Sequence, residues 1–402
     1  MQNKMTNLPQ GWEVKKFEEI ANIKGGKRLP KGENLLDNNT KFTYIRVADF
    51  QDNGTINLQN IKFINENTYN VLKNYKIYDD NLYISIAGTI GKSGIIPKEL
   101  NGAILTENAV KLEYIQNNIS NKFMYFFTLS NIFKTQIQTS TKIVAQPKLA
   151  ITRLKQIQIP LPPLKEQERI VGILDESFAK IDESIKILEQ NLLNLDELMQ
   201  SALQKAFNPL KDNAKENYKL PQSWEWKSLE EISENISAGG DKPKNCTESK
   251  TAKNQIPVYA NGVNNNGLVG YTDKATIIKP SLTISARGTI GFVCIRKEPY
   301  FPIVRLISLI PCENILCLHY LYFCLNFFIA KGEGSSIPQL TIPKFKSLQI
   351  PLPPLKEQEQ IAKHLDFVFE KTKALKELYT KEIKDYEELK QSLLNKAFKG
   401  EL

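Results

Sequence analysis

The chain has 402 residues, of which 41% are hydrophobic and 24% charged, which is the composition of a globular protein with two or three domains. Lys and Arg number 53 against 44 Asp and Glu, and the net charge of +9 suits a polyanionic partner without requiring one. The first twenty residues lack the apolar core of a signal peptide, and the five cysteines are odd in number and all in the second half. We therefore expect a cytoplasmic protein with free thiols.

The first half of the chain begins with LPQGWEVKKFEEIA at residues 8–21 and continues with alternating apolar and polar residues. KFTYIRVADF (41–50) and NLYISIAGTI (81–90) have the pattern of β-strands. The Gly88-Thr89-Ile90-Gly91 sequence predicts a tight turn between strands. We assign residues 1–160 to a first globular domain of mixed α and β structure in which strands dominate.

A long helix is predicted after the proline-rich sequence IPLPPLKEQERI at residues 159–170. Pro162 and Pro163 suit an extended segment and a first helical turn, and Glu166 suits a helix N-terminus. From Leu164 to Ala206 is 43 residues, about 64 Å at ~1.5 Å per residue. Its apolar residues alternate in steps of four and three, which predicts a coiled-coil seam. They are Leu174, Phe178, Ile181, Ile185, Leu188, Leu192, Leu195, Met199, Ala202 and Ala206.

The second half of the chain repeats the first in the same order. IPLPPLKEQEQI at 350–361 matches the first proline-rich sequence at eleven of twelve positions, with an offset of 191. Other matches are LPQSWEWKSLEEIS (220–233), ISARGTIGFVC (284–294) and SLLNKAF (392–398), with offsets of 212, 200 and 191. The ends of each copy are nearly identical while the interiors differ. This tandem duplication indicates one scaffold used twice around divergent interiors.

A second globular domain at 209–351 and a second helix at 352–402 follow from the duplication, and residues 161–208 form the first helix segment. SLTISARGTI (281–290) and FPIVRLISLI (301–310) are predicted strands. The second seam is weaker, because two lysines interrupt it. Its residues are Leu365, Phe369, Thr372, Lys376, Tyr379, Ile383, Tyr386, Lys390, Leu393 and Ala397.

Chain order suggests how the two helices pair, because the first ends where the second domain begins and the second starts where that domain ends. If the seams pair, the helices are antiparallel and the repeats are related by a pseudo-twofold axis. The alternative is that each helix packs only on its own domain. The predicted fold class is therefore α+β, with two tandem strand-dominated domains separated by two long antiparallel coiled-coil helices.

One apolar stretch, ILCLHYLYFCLNFFIA at 315–330, approaches the length of a membrane span. Its counterpart in the first copy is a half-polar aromatic segment at about 119–134. The duplication therefore predicts a buried helix of a globular domain in both copies.

A search for catalytic motifs gives little. A phosphate-binding loop ending at Ser93 would need glycine where Ile86 stands. No GxGxxG loop, no Asn/Asp-Pro-Pro-aromatic motif and no PD-(D/E)xK cluster is present in the sequence, which has only two histidines. Cys312, Cys317, His319 and Cys324 lack CxxC spacing, so we expect free core cysteines and no metal site. The chain is predicted not to be an enzyme.

The doubled PLPPLKEQ sequence, the paired LPQ-WE starts and the repeated GTIG turn resemble the specificity subunits of type I restriction-modification systems. The resemblance covers essentially the whole chain. It implies that each domain is a target-recognition domain that reads one half of a split DNA site in the major groove. It also implies that the helices set the spacing and hold two methyltransferase subunits that methylate adenine N6, which two restriction subunits can join. S-adenosylmethionine, ATP and Mg²⁺ would be bound by those partners and no cofactor by this chain.

Candidate contact residues follow from charge and from the repeated motif. We nominate for DNA binding the basic residues near paired glycines and in predicted strands or turns: Lys24, Lys27, Arg28, Lys31, Arg46, Lys142, Lys242, Lys244 and Arg287. The loop after the first short helix is expected to carry the first four. For partner binding or domain anchoring we nominate the repeated motif: Pro162, Pro163, Leu164, Glu166 and Gln167, with Pro353, Pro354, Leu355, Glu357 and Gln358.

Two alternatives stay open at this point. The partner could be a single chain that fuses methylase and nuclease, or the protein could be a coiled-coil scaffold with no DNA role. The interiors of the two domains share little identity, so under the main interpretation the half-sites differ and the whole site is asymmetric. A third possibility, that the chain itself is a fused methyltransferase-nuclease, conflicts with the lack of catalytic motifs.

Overall fold

The computed structural model describes residues 8–38, 40–140, 148–207, 221–329 and 340–402. The chain divides into two compact units. The first unit consists of Met1–Leu188 and Lys381–Leu402, and the second of Glu189–Thr380. Each unit therefore contains the start of one long helix and the end of the other.

Over its described residues, the first unit contains two four-stranded sheets and a two-stranded ladder, with strand orders β2-β9-β6-β7, β4-β3-β8-β5 and β1-β10. Short 3-10 helices lie at Val47–Asp49, Lys73–Tyr75 and Lys98–Leu100. The elements in chain order are β1 (Glu13–Lys16), α1 (Phe17–Ile20), β2 (Ala21–Gly25), β3 (Thr43–Ile45), β4 (Lys62–Phe63), α2 (Glu66–Leu72), β5 (Lys76–Ile77), β6 (Leu82–Ser85), β7 (Ser93–Ile95), β8 (Ala103–Leu105), β9 (Ala109–Tyr114), α3 (Asn121–Leu129), α4 (Asn131–Ser140), α5 (Ile151–Leu154), β10 (Gln158–Leu161) and the long helix α6 (Leu164–Phe207).

The second unit has sheets with the strand orders β12-β18-β15-β16, β14-β13-β17 and β11-β19. A 3-10 helix lies at Asn264–Gly267. The elements are β11 (Glu225–Ser228), α7 (Leu229–Ile232), β12 (Ser233–Ala238), β13 (Ile256–Tyr259), β14 (Leu268–Thr272), β15 (Ser281–Ile284), β16 (Val293–Arg296), β17 (Phe301–Pro302), β18 (Ile307–Pro311), α8 (Leu318–Phe328), α9 (Ile342–Lys346), β19 (Gln349–Leu352) and the long helix α10 (Leu355–Ala397).

The main sheets of the two units have the same topology. β2, β9, β6 and β7 correspond to β12, β18, β15 and β16, and neighbouring strands are antiparallel in both sheets. In both units a short parallel pair, β3-β8 or β13-β17, lies in a second sheet. The duplication seen in the sequence is therefore a duplication of fold.

The core of the first unit is aromatic and extends onto both long helices. Phe17 stacks on Phe133 at 6.0 Å between ring centroids, and Phe123 and Phe127 pack on Phe398 at 5.1 and 5.3 Å. Buried Leu174, near the start of α6, belongs to the same cluster. Burial of large side chains on this scale is the main stabilising term of such a domain.

The core of the second unit includes α8, the helix that contains most of the long apolar stretch. Tyr320, Phe323 and Cys324 on this helix are buried against the sheet and the long helices. Among the described residues, no helix is both long and apolar enough to span a membrane. The expectation of a buried domain helix at this position is confirmed.

The long helices run antiparallel within each unit. In the first unit Asp182 of α6 pairs with Lys390 of α10, and Arg169 donates to the Leu402 carbonyl at 2.8 Å. In the second unit Asp196 pairs with Lys376. Higher numbers on one helix thus meet lower numbers on the other. The predicted fold class, with two strand-rich domains and two long antiparallel helices, is confirmed.

Two of the predicted strands are interrupted. Residues 41–50 form strand only at Thr43–Ile45, because the Asp49 carboxylate accepts the backbone N–H of Arg46 and caps a 3-10 turn. The segment 301–310 is two strands, since Val304 and Arg305 have φ values of 55° and 58°. A left-handed backbone cannot continue a strand. The tight GTIG turns between β6 and β7 and between β15 and β16 are present as predicted.

Candidate nucleic-acid interface

Three loops leave the main sheet of the first unit at one end. They follow β2 (residues 26–31), join β6 to β7 (86–92) and precede β9 (106–108). The loop after β3 lies beside them, because Thr106 donates its N–H to the Ile45 carbonyl at 3.0 Å. We call this end of the sheet, with its three loops, the GTIG edge of the unit.

The equivalent GTIG edge of the second unit consists of residues 239–245, 285–292 and 303–306. Here Asn261, after β13, bridges the loops: its amide donates to the Val304 carbonyl at 2.6 Å and its oxygen accepts the Ala286 N–H at 2.8 Å. The scaffold is the same as in the first unit, while the side chains that line it differ.

Close backbone crossings explain the glycines that open these edges. A Cβ on Gly26 would lie 2.1 Å from the Thr106 carbonyl oxygen, and one on Gly239 would lie 2.6 Å from the Ile303 nitrogen. No side chain fits at either position. The first loop therefore crosses tightly over the strand that precedes β9 or β18.

Three of the six DNA-binding candidates of the first unit, Lys27, Arg28 and Lys31, lie at its GTIG edge. Lys27 and Lys31 are exposed there, and the Lys27 ammonium lies 5.8 Å from the centre of the Tyr75 ring. Lys24 is not in a loop, contrary to the prediction: it lies on β2 and forms a 2.6 Å ion pair with Glu113. The strand β2 directly follows the short helix α1 and continues to Gly25, so the loop begins only at residue 26. Lys142 lies outside the described residues.

Arg28 belongs to a polar cluster at this edge. Its guanidinium donates to Glu107 at 2.8 Å, Thr106 donates its hydroxyl to the same carboxylate at 3.0 Å, and the Tyr44 hydroxyl donates to the Lys27 carbonyl at 2.8 Å. Partial burial alone would raise the pKa of Glu107, but the hydrogen bonds, chiefly from Arg28, outweigh it and the pKa lies below its ordinary value. Glu107 is therefore ionised at neutral pH and Arg28 is neutralised locally.

Arg46 is held within the fold. Its guanidinium binds the buried Asp49 carboxylate at 2.5 Å and donates to the Asn60 carbonyl at 3.0 Å. An arginine so engaged stabilises the turn after β3. Its nomination for DNA contact remains a prediction, but the structure gives it an intramolecular role.

The candidates of the second unit lie in two loops of its GTIG edge. Lys242 and Lys244 are exposed in the loop after β12, and Arg287 is exposed in the GTIG turn. Arg305 lies at the same edge and was missed by the sequence analysis, because 301–310 has the pattern of an unbroken strand. Its left-handed backbone gives no sign in the sequence, since neither Val304 nor Arg305 is a glycine.

The repeated proline-rich motif lies away from the GTIG edge, where β10 or β19 leads into a long helix. Gln167 is buried: its oxygen accepts the Ser120 N–H at 2.9 Å, and its amide donates to the carbonyls of Asn118 and Pro162 at 3.1 and 2.8 Å. This glutamine clamps the segment before α3 to the start of α6.

Gln358 forms the same three bonds in the second unit. Its oxygen accepts the Cys317 N–H at 2.8 Å, and its amide donates to the carbonyls of Ile315 and Pro353, both at 2.9 Å. The near-identity of the two motifs thus has a structural cause, since each copy joins its sheet to its helix in the same way.

The other motif residues divide between the interior and the surface. Pro162 and Pro353 are buried, and Pro163 and Pro354 are exposed. Glu166 binds Arg169 at 2.7 Å, while Glu357 accepts the indole N–H of Trp224 at 3.1 Å. Leu164 and Leu355 are half-buried. Among the nominated residues of the motif, the exposed prolines are the ones accessible to a partner.

The predicted seam residues face inward. None of those predicted on α6 or α10 is exposed, and Ile181, Leu188 and Leu365 are buried. The two lysines that interrupt the apolar pattern of the second seam, Lys376 and Lys390, lie within it and are neutralised by aspartates of the other helix. Lys390 also lies 5.3 Å from the centre of the Phe178 ring.

The structure does not bring Cys312, Cys317, His319 and Cys324 together as metal ligands. All five cysteines have free thiols, and burial raises the pKa of the Cys324 thiol well above its ordinary value. His319 binds Asp366 at 2.8 Å. In the described part of the chain, no three His, Cys, Asp or Glu side chains are grouped as metal ligands.

The two units thus present different side chains at equivalent edges of one repeated scaffold. A family model described as "Type I restriction modification DNA specificity domain" matches residues 9–193 and 221–385. The chain therefore belongs to the family of type I restriction-modification specificity subunits.

Individual relatives agree with this assignment. A Mycoplasma pneumoniae protein named as a type I specificity subunit is 29% identical over 357 residues, 87% of each chain. The specificity subunit of the type I restriction enzyme EcoBI from Escherichia coli is 29% identical over 205 residues, covering 50% of this chain and 42% of that protein.

Solved structures share the fold. One, from a study of complex assembly and conformational transition of a type I restriction-modification system, has a TM-score of 0.81 at 20% identity and covers 98% of this chain and 100% of its own. The HsdS subunit from Thermoanaerobacter tengcongensis has a TM-score of 0.63 at 21% identity and covers 100% of both chains.

Family membership confirms the resemblance noted in the sequence. Specificity subunits are non-catalytic DNA-recognition subunits, so the prediction that this chain is not an enzyme is confirmed by its family. DNA and a methyltransferase subunit are its partners.

Proposed function

We propose that this specificity subunit reads an asymmetric, split DNA site, with the GTIG edge of each unit contacting one half. This proposal is supported chiefly by the different side chains at equivalent positions of the two edges. In the first unit Glu107 accepts a hydrogen bond from Arg28. In the second unit the equivalent residue is Val304, which is followed by Arg305. Different donors and acceptors read different bases in the major groove, so the two half-sites differ.

The proposed DNA contact is supported by charge as well as position. Lys27 and Lys31 in the first unit, and Lys242, Lys244 and Arg305 in the second, are exposed at the GTIG edges. Contacts with phosphates would position each unit, and contacts with base edges would supply specificity. Neutralising several phosphates would make binding weaken steeply with salt. Half-sites read from one face of the duplex would be centred about one helical turn, or a multiple of it, apart.

The proposed complex contains two methyltransferase subunits, one for each copy of the repeated motif, and two restriction subunits can join it. Support comes from apolar side chains that remain exposed on the long helices: Ile187, Leu193, Leu198, Phe367, Leu375, Leu378 and Leu389. Exposed apolar side chains along a long helix are stabilised when another protein covers them. Under this proposal S-adenosylmethionine, ATP and Mg²⁺ are bound by the partners, adenine N6 is methylated, and the complex works in the cytoplasm.

The test is a genome-wide map of N6-methyladenine in the host with the gene intact and with it deleted, in strains in which expression of the partner methyltransferase is verified. We expect one split, asymmetric motif to lose its methylation on deletion and to regain it on complementation. Unchanged methylation would contradict the proposal and favour a scaffold with no DNA role. A palindromic motif would contradict the assignment of different half-sites to the two units.

Purified components separate the remaining alternatives. The chain alone is expected to transfer no methyl group to DNA, and the addition of a separate methyltransferase subunit should restore transfer at the mapped motif. If the active partner is one polypeptide that both methylates and cleaves, the stoichiometry proposed here is wrong while the role in specificity stands.

A further inference from the structure

The turn between β17 and β18 in the second unit has an unusual backbone. Val304 and Arg305 both have left-handed φ values, 55° and 58°, in a four-residue connection. For a β-branched residue such as valine this conformation is a genuine outlier, and two in succession persist only where surrounding contacts hold them.

Those contacts come from the other loops of the GTIG edge. The N–H groups of Val304 and Arg305 donate to the carbonyls of Gly240 and Gly239, both at 2.8 Å. The Val304 carbonyl accepts the Asn261 amide at 2.6 Å, and Asn261 also binds the base of the GTIG turn. The backbone that carries Arg305 is therefore fixed from both sides, while its side chain is exposed.

In the first unit the position equivalent to Val304 carries a carboxylate, which neutralises a neighbouring arginine. Thr106 and Ile303 each donate an N–H to the end of the neighbouring parallel strand, at Ile45 and Tyr259, which makes Glu107 equivalent to Val304. Glu107 binds Arg28, but valine can bind no cation. Within the described ranges the Arg305 side chain has neither an ion pair nor a hydrogen bond, so its five donors are available.

We propose that Arg305 is a specificity-determining residue that reads a guanine in the half-site of the second unit. This inference rests on the proposed function. A guanidinium presents two parallel N–H groups that match the O6 and N7 acceptors of guanine in the major groove. A backbone held rigidly beneath the side chain lowers the entropy lost on contact. Lys242 and Lys244, in the loop that holds this turn, are placed to contact the flanking phosphates.

The experiment compares Arg305→Lys and Arg305→Ala with the wild-type chain, each assembled with the partner methyltransferase. Lysine keeps the positive charge but lacks the two parallel N–H donors of the guanidinium, so Arg305→Lys separates base reading from phosphate binding. Lys297→Ala is the matched control, an exposed cation at the opposite end of β16 from the GTIG turn. The measurements are the methylation motif in cells and the affinity for duplexes that carry each base at every position of both half-sites.

We expect both Arg305 variants to lose discrimination at one guanine of one half-site by about 5- to 150-fold, with the other half-site unchanged. Lys297→Ala should leave the motif intact. Wild-type discrimination in Arg305→Lys, or an equal loss of affinity for all sequences in both variants, would overturn the proposal. If the wild-type complex itself shows no sequence preference, the proposed function fails. The wild-type measurement reveals this before any variant is compared.

Discussion

Removal of the buried amide of Gln167 should loosen the junction between the first sheet and α6. Gln167→Ala leaves the Ser120 N–H and two carbonyls without their side-chain partner in a site where Gln167 is only 1% exposed. A buried polar group left unsatisfied costs about 1–3 kcal/mol, and the three bonds share one site, so we expect a total of about 2–4 kcal/mol. Opening of this junction should become about 30- to 1,000-fold more frequent.

Hydrogen exchange measured by mass spectrometry reports this opening directly. The peptide that contains Ser120 should exchange faster by that factor in Gln167→Ala. Gln200→Ala, an exposed glutamine of the same helix, is the control and should leave the rate unchanged. Equal effects of the two substitutions would refute the assignment of Gln167 as the clamp of the motif.

Three further predictions concern stability, measured as the free energy of unfolding in urea. Gly26→Ala should cost about 3 kcal/mol or more, because its Cβ would lie 2.1 Å from the Thr106 oxygen; a near-neutral result would disprove the close crossing. Gly172→Ala, in α6 with open space around the position, should stabilise by about 0.5–1 kcal/mol, and destabilisation would contradict the helical geometry. Because the pKa of Glu107 is lowered, the ionised carboxylate contributes to the free energy of unfolding above pH 4.5, its ordinary pKa. This contribution is lost as the pH falls through the lowered pKa. Glu107→Gln should flatten that acid-side decline, and an unchanged pH profile would show that the Arg28 pair adds no stability.

The helical part of the fold could be predicted from the sequence in detail. The seam of α6 followed from apolar spacing, and its described residues, Leu164–Phe207, include the predicted range of Leu164 to Ala206. The second seam looked weak because Lys376 and Lys390 interrupt it. The aspartates that neutralise these lysines lie on the other helix, about 180 to 210 residues away in sequence, where a reading of local periodicity cannot find them.

The GTIG edges were harder to predict, since they depend on contacts between loops. Lys24, Arg28 and Arg46 looked equally basic in the sequence, yet all three are paired with carboxylates in the fold. Arg305 was overlooked because the residues around it alternate like a strand. Backbone conformations held by hydrogen bonds to the carbonyls of Gly239 and Gly240 leave no local trace in residue type.

The proline-rich motif illustrates the opposite case. Its repetition marked it at once, and the alternatives of domain anchor and partner contact were both reasonable. The three bonds of Gln167 and of Gln358 favour the anchor for the glutamines. The exposed Pro163 and Pro354 remain candidates for contact with the methyltransferase.

The central claim is that the two GTIG edges read the two halves of one DNA site independently. The most direct measurement is the methylation map of two variants, one with Lys27, Arg28 and Lys31 replaced by alanine and one with Lys242, Lys244 and Arg305 replaced. The first should alter or relax one half of the motif, and the second the other half. If either variant changes both halves alike, or if both leave the motif intact, the account is contradicted.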